Sequence, residues 1–263
     1  MSTLTCTLIQ TKLFWQDAVA NRKMFEEKIN SIRQKTEIII LPEMFSTGFS
    51  MQPEKFAETM DGETVAWMKK IAALKKIILT GSLMIKEDEQ YFNRLIWMLP
   101  NGEYGCYDKR HLFAYGDEHN HYSAGNKRLI ASAKGWKINL QVCYDLRFPV
   151  WTRQEPYAIE NQYDVLINVA NWPEKRNIAW QTLLRARAIE NQCYAIGVNR
   201  VGEDGNKIAY DGNSAIIDPF GTTIYEKKNQ EDIFTYTLEK DTISKCRNHF
   251  PFLKDADDFI IKK

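Results

Sequence analysis

The chain has few cysteines, and no arrangement of them would staple a fold. Cys6, Cys106, Cys143, Cys193 and Cys246 are odd in number, scattered, and without a CxxC pair. That excludes a disulfide framework or a cysteine-based zinc site and points to free thiols in a reducing compartment, so a cytoplasmic enzyme is the first expectation. An excess of one charge is missing too: 35 basic and 34 acidic residues leave a net charge of +1. This argues against a nucleic-acid footprint and against a polybasic membrane surface. No run of about 18 apolar residues occurs, so no membrane span is expected. Residues 3–10 are too short and too polar for the apolar part of a leader. The four histidines, His111, His119, His121 and His249, offer only a lone His-x-His, with no third ligand at metal spacing. Gly202, Gly205 and Gly212 do not form a GxGxxG opening a helix. No metal site or phosphate loop is expected.

What remains is an ordinary globular composition, 44% apolar and 26% charged over 263 residues, long enough for a large core. Strand and helix signals alternate. Residues 4–10 read as a strand and 16–33 as an amphipathic helix. Residues 37–41 form a short β-branched run stopped by Pro42, as in a buried strand. A helix is expected over 62–74 and a strand over 77–84. Strands over 94–99 and 103–109 flank Pro100-Asn101-Gly102, and strands over 128–133 and 136–143 flank Lys134-Gly135; both read as hairpins. A helix follows Pro149. Then come a strand (164–169), a helix (178–192), a strand (194–200), a hairpin around Asp218-Pro219-Phe220-Gly221 and a last strand (233–238). Residues 251–263 have no clear period and read as a tail on the surface or on a partner. No linker or low-complexity segment breaks the chain, so one domain over residues 1–263 is expected. A faint internal echo pairs the apolar run ending at Pro42-Glu43 with the run ending at Asn171-Trp172-Pro173. Two such halves suit two facing sheets with helices outside.

Three polar groups stand at strand ends, where a rigid scaffold can aim them into one cleft. Glu43 follows the strand at 37–41, Lys109 ends the strand at 103–109, and Cys143 ends the strand at 136–143. Taken singly, Glu43 fits a helix cap, Lys109 a solvated charge and Cys143 a packed core thiol. Together they make a complete acyl-transfer set. A cysteine attacking an amide needs a base for its proton, and a carboxylate serves. The oxyanion needs a cation, and an ammonium beside a carboxylate stays charged.

The segments Leu41-Pro42-Glu43-Met44-Phe45, Tyr107-Asp108-Lys109-Arg110-His111-Leu112-Phe113 and Cys143-Tyr144-Asp145-Leu146-Arg147-Phe148-Pro149 resemble, in order, the three signature blocks of the nitrilase superfamily. Asp117-Glu118-His119-Asn120-His121-Tyr122 is similar to the block that holds a second glutamate. Ala170-Asn171-Trp172-Pro173, the stretch from Trp180 to Gln192 and Gly197-Val198-Asn199-Arg200 resemble the omega-amidase branch. The resemblance implies an α/β fold, a four-layer αββα sandwich commonly paired into a dimer, and carbon–nitrogen hydrolysis without metal or organic cofactor. It further implies Cys143 as nucleophile, Glu43 as base, Lys109 with the Tyr144 N–H as oxyanion donors, and Glu118 as the support of Lys109. The implied substrates are 2-oxoglutaramate and 2-oxosuccinamate.

Such a substrate carries a distal carboxylate, which needs a cation or several donors. Arg147 leads, with Arg110 and His111 as alternatives; Arg147 equally fits an ion pair with Asp145 or Glu190. Trp172 and Phe45 are candidate pocket walls, with Asn171 beside them. Cys6, Cys106 and Cys193 read as inert core thiols and Cys246 as exposed. Arg185 and Arg187 read as parts of a packed helix, not a nucleic-acid surface. Competing readings are another amidase of the superfamily (an N-carbamoyl amide hydrolase, an aliphatic amidase or a nitrilase) and a non-catalytic interaction protein of the same fold.

Overall fold

The computed structural model describes residues 2–155 and 162–261. Part of the region expected to be helical after Pro149 falls at residues 156–161, outside the described residues, as do the last two residues of the tail. The first half of the chain runs β1 (Thr3–Gln10), α1 (Ala18–Ser31), β2 (Ile38–Ile40), α2 (Pro53–Phe56), α3 (Glu63–Lys75), β3 (Ile78–Glu87), β4 (Gln90–Met98) and β5 (Tyr104–Asp108). The second runs β6 (Ile130–Ala133), β7 (Trp136–Val142), α4 (Pro149–Thr152), β8 (Val165–Val169), α5 (Asn177–Asn191), β9 (Tyr194–Val198), β10 (Val201–Glu203), β11 (Ala209–Ile217), β12 (Thr223–Lys228), β13 (Asp232–Glu239) and α6 (Lys240–His249).

The strands form two sheets. One has the order β13-β1-β2-β3-β4-β5; the other runs β10-β11-β9-β8-β7-β6, with β12 beside β11. Each is built on three parallel strands, β1/β2/β3 and β7/β8/β9, continued by antiparallel neighbours. The echo therefore has a structural counterpart: β2 and β8 are the middle strands of the two parallel triplets.

Alternation along the strands builds the layers. Leu4, Cys6 and Leu8 of β1 face Ile138, Leu140 and Val142 of β7 and Val165, Ile167 and Val169 of β8 across one inter-sheet core. On the other face of the first sheet, Ile9 and Ile39 pack with Phe25 of α1 and Met68 and Ile71 of α3. On the other face of the second, Leu166 and Ala195 pack with Trp180 and Leu184 of α5. The result is helix, sheet, sheet, helix.

Local chemistry sets the element ends. Asp17 caps α1 by accepting the Ala20 N–H at 2.9 Å, replacing a partner the first turn lacks. Lys134 and Gly135 both take positive φ (49° and 78°), the geometry of a two-residue hairpin turn. A further tight hairpin joins β3 to β4 through Asp88 and Glu89, with φ of 46° and 61°. Neither is glycine or asparagine, so the sequence carries no turn signal there, and both strands run further than their apolar content suggests. In the tail, Ile261 packs against the inter-sheet core and Gln192 donates to the Phe250 carbonyl, which folds this segment onto its own chain. Cys246, expected to be exposed, is buried at 3%; it lies on the inward side of α6, an element whose periodicity the strand reading left out.

Gly125 fastens the segment after Lys109. Its N–H donates to the Lys109 carbonyl at 3.0 Å, and a Cβ there would stand 2.1 Å from the Asp108 carbonyl oxygen. That contact is with backbone, so relief requires moving the strand end. Gly125→Ala is expected to cost about 1–3 kcal/mol and to lower the thermal midpoint by roughly 2–10 °C. Calorimetry checks it, and an unchanged midpoint would mean that loop and strand part freely.

Candidate active site

The site begins where β2 ends. Pro42 stops the strand, and the backbone turns at Met44 with φ of 41°, leaving Glu43 fully buried. Its carboxylate is held on three sides. Oε1 accepts from Asn93 Nδ2 at 2.8 Å and from Lys109 Nζ at 3.0 Å, and Oε2 accepts the Asn171 N–H at 2.7 Å. Asn171 Nδ2 also donates to the Glu43 carbonyl at 2.6 Å. The ends of the two echoing strands are thus bonded to each other across the sandwich.

Lys109 follows β5 directly, its N–H on the Asn93 carbonyl of β4. Its ammonium also lies 3.0 Å from Glu118 Oε1 and 2.8 Å from Oε2, and 5.1 Å from the centre of the Phe49 ring. Burial alone would pull this ammonium down; Glu118 and Glu43 more than reverse it and hold it above its ordinary value. Glu118 stands after Asp117, another residue with positive φ (65°). Its Oε2 accepts the Phe113 N–H at 2.6 Å and its Oε1 accepts from Asn93 at 3.2 Å. Burial pushes its carboxyl up, against the pull of Lys109.

Cys143 opens a 3-10 turn, Cys143–Arg147, straight off β7, with φ of 45°. The left-handed backbone is uncommon for a residue with a side chain and marks a constrained functional turn. Asp145 pins that turn. Oδ2 accepts the Val142 N–H at 3.1 Å and the Tyr107 hydroxyl at 2.8 Å, while Oδ1 accepts the His111 N–H at 2.9 Å. One buried carboxylate therefore registers the Cys143 turn against the Lys109 segment. Arg187 of α5 adds a donor to the Leu146 carbonyl at 2.7 Å. Burial pushes the Cys143 thiol up, and the facing Glu43 carboxylate, to which it hydrogen-bonds, pushes it further. A thiol donating to a carboxylate is poised to give up its proton as the sulfur attacks.

A cavity of about 120 Å³ opens at Cys143, with Lys109, Tyr144, Arg147, Asn171 and Trp172 in its wall. Three residues expected in the wall are not there, Arg110 among them, whose guanidinium lies over Trp151 at 4.7 Å. Phe45 is fully buried in the outer core, edge-on to Phe25 at 5.5 Å, because the turn at Met44 sends it back under the helices. His111 lies outside the lining. Its Nδ1 is 2.8 Å from Asp145 Oδ1 and its ring stacks on Phe148 at 3.7 Å, so it braces the Cys143 turn instead. Arg147 makes no ion pair with Asp145 or Glu190 among the described residues. Asp145 is occupied as above, Glu190 pairs with Arg187, and the Arg147 guanidinium lies over Trp172 at 4.8 Å. Asn93 escaped the sequence reading, although an asparagine in mid-strand is unusual enough to be a signal. Phe49, Phe113, Arg176 and Tyr210 also line the cavity; they sit in loops or at element ends, without a pattern to single them out. Among the described residues no group of three or more His, Cys, Asp or Glu could hold a metal ion, and no helix is long and apolar enough to cross a membrane.

Comparison with known proteins agrees with this geometry. The family model described as carbon-nitrogen hydrolase matches residues 5–248. The omega-amidase YafV of Yersinia enterocolitica is 42% identical over 262 residues, covering 99% of this chain and 100% of the relative. A 2-oxoglutaramate amidase of Bacillus subtilis is 30% identical, covering 95% of this chain and 96% of its own. A crystal structure of a CN-hydrolase superfamily protein from Xanthomonas campestris, with an arsenic adduct in its active site, superposes with a TM-score of 0.97 at 43% identity over 100% of both chains. With its two-sheet sandwich and near-complete matches of this kind, the chain belongs to the carbon-nitrogen hydrolase family.

Proposed function

We propose that the protein is an omega-amidase, hydrolysing the terminal amide of a small 2-oxo dicarboxylic acid such as 2-oxoglutaramate or 2-oxosuccinamate. The observation that carries the chemistry is the buried Glu43–Lys109–Glu118 cluster facing the Cys143 thiol. The names of the YafV and 2-oxoglutaramate amidase relatives support the substrate.

In the reaction, Sγ of Cys143 bonds to the amide carbon as Glu43 takes the thiol proton, and the carbonyl π pair moves onto oxygen. The ammonium of Lys109 has three protons; one for each neighbouring carboxylate leaves one for this oxyanion. The Tyr144 N–H is the second donor, since the first turn of a helix has no acceptor of its own for it. Collapse breaks the C–N bond, Glu43 returns the proton to the leaving nitrogen, and ammonia departs from a thioester. Water then attacks the acyl carbon with Glu43 as base, the C–S bond breaks, and the proton returns to sulfur. Glu118 anchors Lys109 throughout. Oδ1 of Asn171 is buried without a protein partner, lines the cavity through its residue, and accepts an N–H of the substrate amide. Arg147 binds the distal carboxylate and Trp172 walls the acyl chain. We take the 263 residues to work as one hydrolase domain, in a homodimer or larger homo-oligomer in the cytoplasm.

Two outcomes are expected. Cys143→Ala abolishes ammonia release from 2-oxoglutaramate with circular dichroism unchanged; full activity in that variant would sink the mechanism. A panel adding 2-oxosuccinamate, glutamine, N-carbamoyl amino acids and a simple nitrile should place the oxo-amides first. The raised position of the thiol gives a third test. The difference in 240 nm absorbance between wild type and Cys143→Ala should stay flat through neutral pH, because the thiolate forms only above the ordinary thiol range. A thiolate signal at pH 7 would replace base-assisted attack with a preformed ion pair.

A further inference from the structure

The pocket wall carries a second guanidinium. Arg176 ends the 3-10 turn Glu174–Arg176, just ahead of α5, and lines the same cavity as Cys143 and Arg147. Its backbone is fixed on both sides: the N–H donates to the Pro173 carbonyl at 3.0 Å, and the carbonyl accepts from Trp172 Nε1 at 2.8 Å. Its guanidinium lies over Phe113 at 5.1 Å and Tyr115 at 6.0 Å. Arg147 is held in the same way, over Trp172. Stacking occupies the face of a guanidinium and leaves its in-plane N–H fork free. Neither arginine has a carboxylate partner among the described residues.

The acidic side of the ledger is as informative. Asp204 is the carboxylate in the cavity wall, and its oxygens are taken. Oδ1 accepts the N–H groups of Asn206 and Ile208, at 2.8 and 3.0 Å, and Oδ2 accepts the Tyr210 hydroxyl at 2.9 Å. Among the described residues, the outer pocket thus offers two guanidinium forks without a carboxylate partner and one carboxylate already engaged in three hydrogen bonds. A 2-oxo acid end presents a carboxylate and an adjacent ketone oxygen, all acceptors. The corresponding 2-amino acid replaces that ketone with an ammonium, which only donates and repels a guanidinium.

We propose that Arg147 and Arg176 form a two-guanidinium clamp for the carboxylate and neighbouring oxo oxygen, and that Arg176 is the specificity-determining residue that separates 2-oxo acid amides from amino acid amides. This rests on the oxo-acid reading above. Discrimination comes from repulsion as well as attraction, as strong specificity usually requires.

The test measures ammonia release from 2-oxoglutaramate, glutamine and uncharged butyramide by wild type, Arg176→Gln, Arg147→Gln and the double variant. It is paired with calorimetric binding of 2-oxoglutarate to Cys143→Ala with and without Arg176→Gln. Losing a charge-assisted contact predicts that Arg176→Gln lowers kcat/KM on 2-oxoglutaramate, mainly through KM, by roughly 10-fold or more beyond its effect on butyramide. The preference for 2-oxoglutaramate over glutamine narrows, and binding of 2-oxoglutarate weakens in step. If wild type favours 2-oxoglutaramate but Arg176→Gln lowers all three amides alike, or leaves binding of 2-oxoglutarate intact, the clamp is overturned and the oxo-acid reading stands. If wild type favours butyramide, the oxo-acid reading falls and the clamp with it.

Discussion

The buried ion cluster of Glu43, Lys109 and Glu118 is the constraint on which the rest of the structure depends. Taking charges out of water costs several kcal/mol per ion, recovered only when every lone pair and proton finds a partner. Here the partners come from far apart in the chain. Asn93 of β4 reaches both Glu43 and Glu118, the Phe113 N–H meets Glu118, and the Asn171 N–H beyond β8 meets Glu43. The two sheets therefore cannot slide without uncovering a charge. The same arrangement suits the proposed chemistry, because a carboxylate and an ammonium fixed in a buried site need no reorganisation when charge moves.

Three of the twelve non-glycine residues with positive φ among the described residues stand at this cluster. Met44 after Glu43, Asp117 before Glu118 and Cys143 itself all take positive φ, at roughly 1–2 kcal/mol each for a residue with a Cβ. Glycine would relax each turn, but each side chain has work to do. Met44 packs on Met84 and Tyr122, Asp117 accepts from Asn120, and Cys143 carries the sulfur. The Cys143 turn holds because Asp145 ties the residue before it, Val142, to His111 of the Lys109 segment.

The sequence was most legible where one residue type answers to one demand. A β-branched run stopped by proline marked β2 and so Glu43. A strand ending in cysteine marked Cys143, and the echo of β2 in β8 foreshadowed the paired sheets. It was least legible where direction decides. Phe45 lies two residues beyond Glu43, yet the turn at Met44 aims it at Phe25 rather than at the pocket. His111 follows Lys109 by two, and its ring is captured by Asp145 and Phe148. Arg176 was overlooked for the opposite reason: a basic residue ahead of a helix is ordinary in sequence, and what distinguishes it is its place in the cavity wall, without an acidic partner among the described residues. The β3–β4 turn at Asp88-Glu89 has no glycine to announce it.

Reactivity and selectivity are joined in one element and separated in another. Cys143 and Arg147 share a single 3-10 turn, fixed by Asp145 from one side and by Arg187 on the Leu146 carbonyl from the other. The span from sulfur to the first guanidinium is therefore set by a rigid turn. Anything that loosens it displaces the proposed nucleophile and the proposed anchor together. Arg176 approaches from the start of α5, with its own backbone bonds to Pro173 and Trp172, and touches neither the turn nor the ion cluster in any contact described above. If the proposed clamp holds, Arg176 is the group whose replacement alters which acyl tail is accepted while leaving the sulfur where it is. On the proposed reading, such a pocket holds its chemistry on strand ends and places part of its substrate choice on a separate turn, which meets the ion cluster only through Phe113, stacked under Arg176 and bonded by its N–H to Glu118.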